Sequence, residues 1–219
     1  ILRQQGVEEP FTGILEGGQT SDPIALDGGF TQTALEAFAT YIPIGFDHIL
    51  PKGLDHILFV LGIFLLSTHL GPLLWQVTAF TLAHTITLAL GALHIVVVPA
   101  PIVEPIIALS ITYVAVENIL TSRLHAWRPV VVFVFGLLHG LGFASVLEEF
   151  GLPEGQFIPA LLGFNVGVEL GQLAVIAIAF ALVGYWFSQK PWYRQVIVIP
   201  GSAVIAIIGA YWFVERAFL

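Results

Sequence analysis

From Leu54 to the C-terminus the sequence repeats apolar stretches of about twenty residues, parted by short polar or proline- and glycine-bearing breaks. A helix of that length crosses the roughly 30 Å hydrocarbon core of a bilayer. Composition closes off the alternatives. Hydrophobic residues make up 57% of the chain and charged residues only 10%. A soluble domain carries about a quarter charged residues, so too little polar surface exists here to face water. A soluble enzyme, a disordered chain and a disulfide scaffold are all excluded. The predicted fold class is all-α, a polytopic transmembrane helical bundle.

Six spans are expected, at about 54–68, 72–94, 103–121, 129–147, 157–187 and 195–216. Residues 1–30 are acidic and rich in Gly and Pro, and read as an extramembrane arm. Residues 31–50 read as an interfacial or re-entrant segment. A short helix from Thr31 to Tyr41 has the capping-box spacing of Thr33 and Glu36, and Ile42-Pro43-Ile44-Gly45 is expected to end it. Residues 51–219 form the six-helix transmembrane domain. Because the chain starts at Ile1 rather than Met, a secretory signal removed upstream is the expectation.

Orientation follows the Lys/Arg bias. Arg123, Arg128, Lys190 and Arg194 fall in one set of loops, and the opposite set between spans has none but carries Glu148, Glu149 and Glu154. Lys52 and Arg216 near the acidic end weaken the bias slightly. The expected location is a bacterial inner membrane with the N-terminus outside. The net charge of −8 and the lack of a basic patch exclude nucleic acid as a partner. The expected partners are membrane lipid, a divalent metal ion and, in a homo-oligomer, further copies of the chain.

Ionisable residues inside spans are expensive and therefore functional candidates. The unit Asp-His-Ile-Leu occurs twice, as Asp47-His48 and Asp55-His56, around Pro51-Lys52-Gly53. Two carboxylate–imidazole pairs at one turn suit a divalent cation; two helix caps with incidental histidines are the bland reading. Span two carries Thr81, His84 and Thr85 with Thr78. Span three sets Ser110, Tyr113 and Glu117 on one helical face, followed by Asn118; an interfacial pair of Glu117 with Arg123 is the alternative. His139 is the one ionisable residue in the middle of span four, between Gly136 and Gly140. In span five, Asn165, Glu169 and Gln172 stand at i, i+4 and i+7, and Gly163, Gly167 and Gly171 mark another face.

Cys and Met are both absent, so there is no thiolate or thioether ligand. Imidazole and carboxylate suit Ni, Co or Zn, leave Mn and Fe open, and argue against Cu(I) and iron–sulfur chemistry. No phosphate-binding glycine loop or His-Glu-x-x-His sequence occurs.

Several ordered motifs resemble the HupE/UreJ family of membrane permeases. They are Gly45 to Gly62 around the duplicated Asp-His unit, Thr81-Leu82-Ala83-His84-Thr85-Ile86-Thr87-Leu88, Val116-Glu117-Asn118, Phe135 to Ala144 around His139, and Phe164-Asn165-Val166-Gly167-Val168-Glu169. The resemblance covers about 41–185, and the N-terminal arm is that of the family's longer branch. It implies a six-helix secondary transporter for a divalent transition metal, nickel or cobalt above all. It also implies metal-site roles for Asp47, His48, Asp55, His56, His84, Glu117, His139 and Glu169. Thr81, Thr85, Ser110, Tyr113, Asn118, Asn165 and Gln172 are expected to support that site. The rival expectation is an intramembrane zinc-dependent hydrolase acting on a lipid-like substrate, with Ser110 or Ser145 beside the metal. A metal-free proton or water pathway is the third.

Overall fold

The computed structural model describes residues 33–150 and 155–219, with the backbone course alone over 143–150. The arm 1–30, the residues Thr31 and Glu154, and the side chains of Ser145, Glu148 and Glu149 lie outside the described residues. Every regular element among the described residues is helical. The elements are α1 (Ala34–Ile49), α2 (Leu54–Leu66), α3 (Leu70–Ala92), α4 (Ala100–Leu120), α5 (Arg128–Phe150), α6 (Phe157–Phe187) and α7 (Arg194–Phe218). Each of the six expected spans coincides with one of α2 to α7.

Four helices are long and apolar enough to cross a membrane: α3, α4, α6 and α7. α5 is apolar over Arg128–Gly142. The expected first span differs in length. α2 has 13 residues, about 20 Å at the helical rise, and cannot cross alone. It meets α1 at a bend of 73°, and together the two pass as one broken span. α6 and α7 each contain one wide π-type turn, at Phe180–Gly184 and Arg194–Val198.

α1 starts where expected. The Thr33 hydroxyl accepts from the Glu36 amide at 3.3 Å, and the Glu36 carboxylate accepts from the Thr33 amide at 2.8 Å, a closed capping box. It does not stop at Tyr41. The helix runs through Pro43 to Ile49, although an internal proline removes one hydrogen bond and crowds the preceding turn. Packing overrides that local break. The Gly163 Cα stands against the Phe38 carbonyl, and Gly167 against the Ile42 carbonyl and the Phe46 amide. Any side chain at either glycine would overlap that backbone. α1 therefore lies along α6, running the same way, with Ala37, Tyr41, Gly45 and Ile49 buried.

Two further close pairs, α3 with α5 and α4 with α7, complete the bundle, and α2 sits between them. Buried Phe59, Phe80 and Phe164 fill the centre. Leu82, Leu109, Val130, Leu162 and Val204 project outward and exposed, the surface expected of helices facing lipid rather than water.

Candidate metal site

Four of the seven histidines meet in the middle of the bundle. His48 comes from the last turn of α1, His56 from the first turn of α2, His84 from α3 and His139 from α5. Ligand atoms of His48, His56 and His84 all lie within 4.8 Å of one another. The His139 ring centroid is 5.0 Å from that of His56. His56, His84 and His139 are buried and His48 is partly so. Gly140 makes this approach feasible: a side chain there would strike the His84 carbonyl and the Thr87 hydroxyl, so α5 could not bring His139 so near α3. Phe80 and Phe59 wall the cluster, with ring centroids 5.0 and 5.2 Å from that of His139.

Hydrogen bonds fix which nitrogen of two rings is free. His139 Nδ1 is 2.8 Å from the Phe135 carbonyl. A carbonyl only accepts, so Nδ1 carries the proton and Nε2 the lone pair. His84 Nδ1 is 3.2 Å from Asn165 Oδ1. The Asn165 amide is oriented by its own Nδ2, which donates to the Leu161 carbonyl at 2.8 Å. His84 Nδ1 therefore donates as well, and its Nε2 is left as an acceptor. The Nε2 atoms of His56, His84 and His139 are buried with no hydrogen-bond partner. A neutral imidazole whose second nitrogen is anchored in this way is the form that ligates a metal.

The acids take different positions. Asp55 is held by Arg216 of α7, whose Nη1 and Nη2 donate to its two oxygens at 2.9 and 3.1 Å. Asp47 pairs with Lys52 at 3.5 Å, both well exposed. Neither aspartate is a helix cap; Gly53 precedes the first residue of α2, Leu54, and offers no side-chain cap. Glu169 accepts from the Thr78 hydroxyl at 2.7 Å, and its other oxygen is buried with no hydrogen-bond partner.

Glu117 is not brought to the histidines. It forms an ion pair at 3.1 Å with Arg128, which is only 1% exposed. Arg128 opens α5 eleven residues before His139, about 16 Å along the axis. Its Nη2 also donates to Asn118 Oδ1 at 3.1 Å. Asn118 Nδ2 in turn donates to the Gly62 carbonyl at 2.7 Å and to Ser202 at 3.2 Å. This second polar centre ties α2, α4, α5 and α7 at the opposite end of α2 from His56. Arg194 completes it by donating to the carbonyls of Asn118, Ile119 and Thr121 at 2.9–3.1 Å, which caps α4.

The remaining polar residues join neither the histidines nor the Arg128 centre directly. The Thr81 hydroxyl donates to Gln172 Oε1 at 3.3 Å, and with His84–Asn165 and Thr78–Glu169 this makes a polar seam between α3 and α6. Thr85 donates to the Thr81 carbonyl at 2.7 Å and Ser110 to the Ile107 carbonyl at 2.7 Å, each within its own helix. Tyr113 is exposed. Arg128 and Arg216 are the residues that sequence reasoning missed. The signal for Arg128 was its place just before Pro129 at a helix start, and for Arg216 its isolation at an end otherwise short of cations.

A match to the protein family described as HupE / UreJ protein covers residues 27–216. No curated protein and no solved structure matches the chain.

Proposed function

The chain belongs to the HupE/UreJ family, and from that premise we propose that it is a permease carrying a divalent transition metal, nickel or cobalt, across a bacterial inner membrane. Its apolar helices and its family make it an integral membrane protein of a group associated with nickel and cobalt transport. The observation that carries the proposal is the convergence of His48, His56 and His84 within 4.8 Å, with His139 beside them. The metal is substrate here. His56, His84 and His139 offer Nε2 lone pairs, His48 completes the imidazole set, and Asp47, Asp55 and Glu169 are the nearby carboxylates. Imidazole with carboxylate suits Ni(II), Co(II) or Zn(II).

The broken span α1–α2 supports transport over a fixed site. Secondary transporters place substrate sites near the bilayer midplane where a helix is interrupted, because unwound backbone can line a cavity there. The break at Leu50–Gly53 has one Asp-His unit on each side. An outside N-terminus is favoured by the opposite end of the bundle, which gathers Trp75, Trp127, Trp186 and Trp192 with Arg123, Lys190 and Arg194. Aromatic residues mark the interface and basic ones the inner side. Among the described residues nothing favours the hydrolase reading: the Ser110 hydroxyl is bonded within its own helix.

The test is uptake of nickel(II) and cobalt(II) into proteoliposomes holding the full chain. Wild-type protein accumulates metal above empty vesicles, and the combined His56→Ala, His84→Ala, His139→Ala variant does not. Undiminished uptake by a folded triple variant would overturn the proposal.

A further inference from the structure

In both copies of the Asp-His unit the histidine enters the cluster and the acid holds a cation of the chain. For Asp47 that cation is Lys52, long, flexible and mostly exposed. For Asp55 it is Arg216, and the geometry is much more specific. Both carboxylate oxygens are engaged, at 2.9 and 3.1 Å, with the two side chains only 22% and 24% exposed. The guanidinium lies 5.1 Å over the Trp212 ring and donates to the Glu104 carbonyl at 3.4 Å. Asp55 directly precedes His56, whose ring centroid is 5.0 Å from that of His139. Glu104 is in the second turn of α4 and Arg216 in the last turn of α7. The pair thus stands between the end of the bundle read above as outer and the four histidines.

We propose that Arg216 is a displaceable counter-ion that occupies the Asp55 carboxylate until an entering metal ion takes its place. The inference rests on the permease reading and deepens it by naming the residue that controls entry. Without metal, the carboxylate and guanidinium neutralise each other and the imidazoles add no charge. A divalent ion that arrives at Asp55 competes with the guanidinium, which engages both carboxylate oxygens. A monovalent cation gains too little from one carboxylate and neutral imidazoles to do so. A divalent transition metal gains from both kinds of ligand, which makes the pair a filter as well as a latch. Trp212 supports the guanidinium as it retracts through their cation–π contact. Glu104 contributes only its backbone carbonyl, which accepts from the same guanidinium at 3.4 Å.

The purified full chain in detergent, titrated calorimetrically with nickel(II) and then cobalt(II), tests this. Arg216→Gln removes the competitor and is expected to tighten binding about five- to tenfold. Arg216→Lys keeps the charge but not the fork, and is expected to tighten it about two- to threefold. In an Asp55→Asn background, Arg216→Gln should change affinity by less than twofold, since the contested carboxylate is gone. Unchanged or weaker binding by Arg216→Gln, or by Arg216→Lys if the glutamine variant does not fold, overturns the counter-ion role and leaves the histidine site standing. If the wild-type chain binds neither metal, the permease reading itself fails and the counter-ion role with it.

Discussion

Asn165 touches no metal in the proposed site, yet it decides which nitrogen of His84 can. Its Oδ1 accepts from His84 Nδ1 at 3.2 Å in a setting where His84 is fully buried and Asn165 5% exposed. Asn165→Leu keeps the approximate shape and removes the acceptor. His84 then either leaves a buried N–H without a partner or moves its proton to Nε2, the nitrogen facing the cluster. An unsatisfied buried donor costs about 1–3 kcal/mol, and the metal-binding form of His84 must carry that cost. Converted at about 1.4 kcal/mol per factor of ten, nickel(II) affinity should fall roughly 5- to 150-fold. That interval contains the loss of about 10- to 100-fold typical when the partner of a metal-bound histidine is removed. Asn165→Asp preserves the acceptor and should bind at least as well as wild type. Calorimetric titration of the three proteins, beside their thermal melts, is the assay. Wild-type affinity in a folded Asn165→Leu protein would refute the argument that this bond sets the ligand atom of His84.

Gly167→Leu places a side chain into the Ile42 carbonyl and the Phe46 amide; overpacking costs about 1–3 kcal/mol even where side chains can yield, and backbone yields less. A lower melting temperature and poor recovery of monodisperse protein are expected, and an unchanged melt would contradict the close α1–α6 register. Glu117→Gln leaves the buried Arg128 guanidinium without its counter-charge, so a loss of about 3–5 kcal/mol is expected. Pairing it with Arg128→Met should recover part of that loss in a double-mutant cycle read by thermal melts. Asp47→Asn removes only an exposed 3.5 Å pair and should change stability by no more than about 1 kcal/mol.

How much of this was legible beforehand depends on whether a feature is local. The apolar lengths of α3, α4, α6 and α7 are properties of single segments, and so is the Thr33–Glu36 cap. His84 and His139 stand out for the same reason, each an imidazole within an apolar run. The course of α1 through Pro43 was not legible, since it depends on Gly163 and Gly167, about 400 Å of extended chain away but touching in space. The stripe Asn165–Glu169–Gln172 was visible as a period, but its partners His84, Thr78 and Thr81 come from the register of two helices, which neither helix encodes alone.

The duplicated Asp-His unit shows the limit most clearly. Adjacent residues of a helix point about 100° apart, so an acid and the histidine beside it leave a regular turn in different directions. The sequence brings two acids and two imidazoles to one break. The helix geometry then sorts them, His48 and His56 inward to the cluster, Asp47 outward to Lys52 and Asp55 sideways to Arg216. Composition at the break therefore announces a cation, while the division of labour between ligand and gate is set by helical twist and by a helix, α7, that lies 160 residues further along the chain.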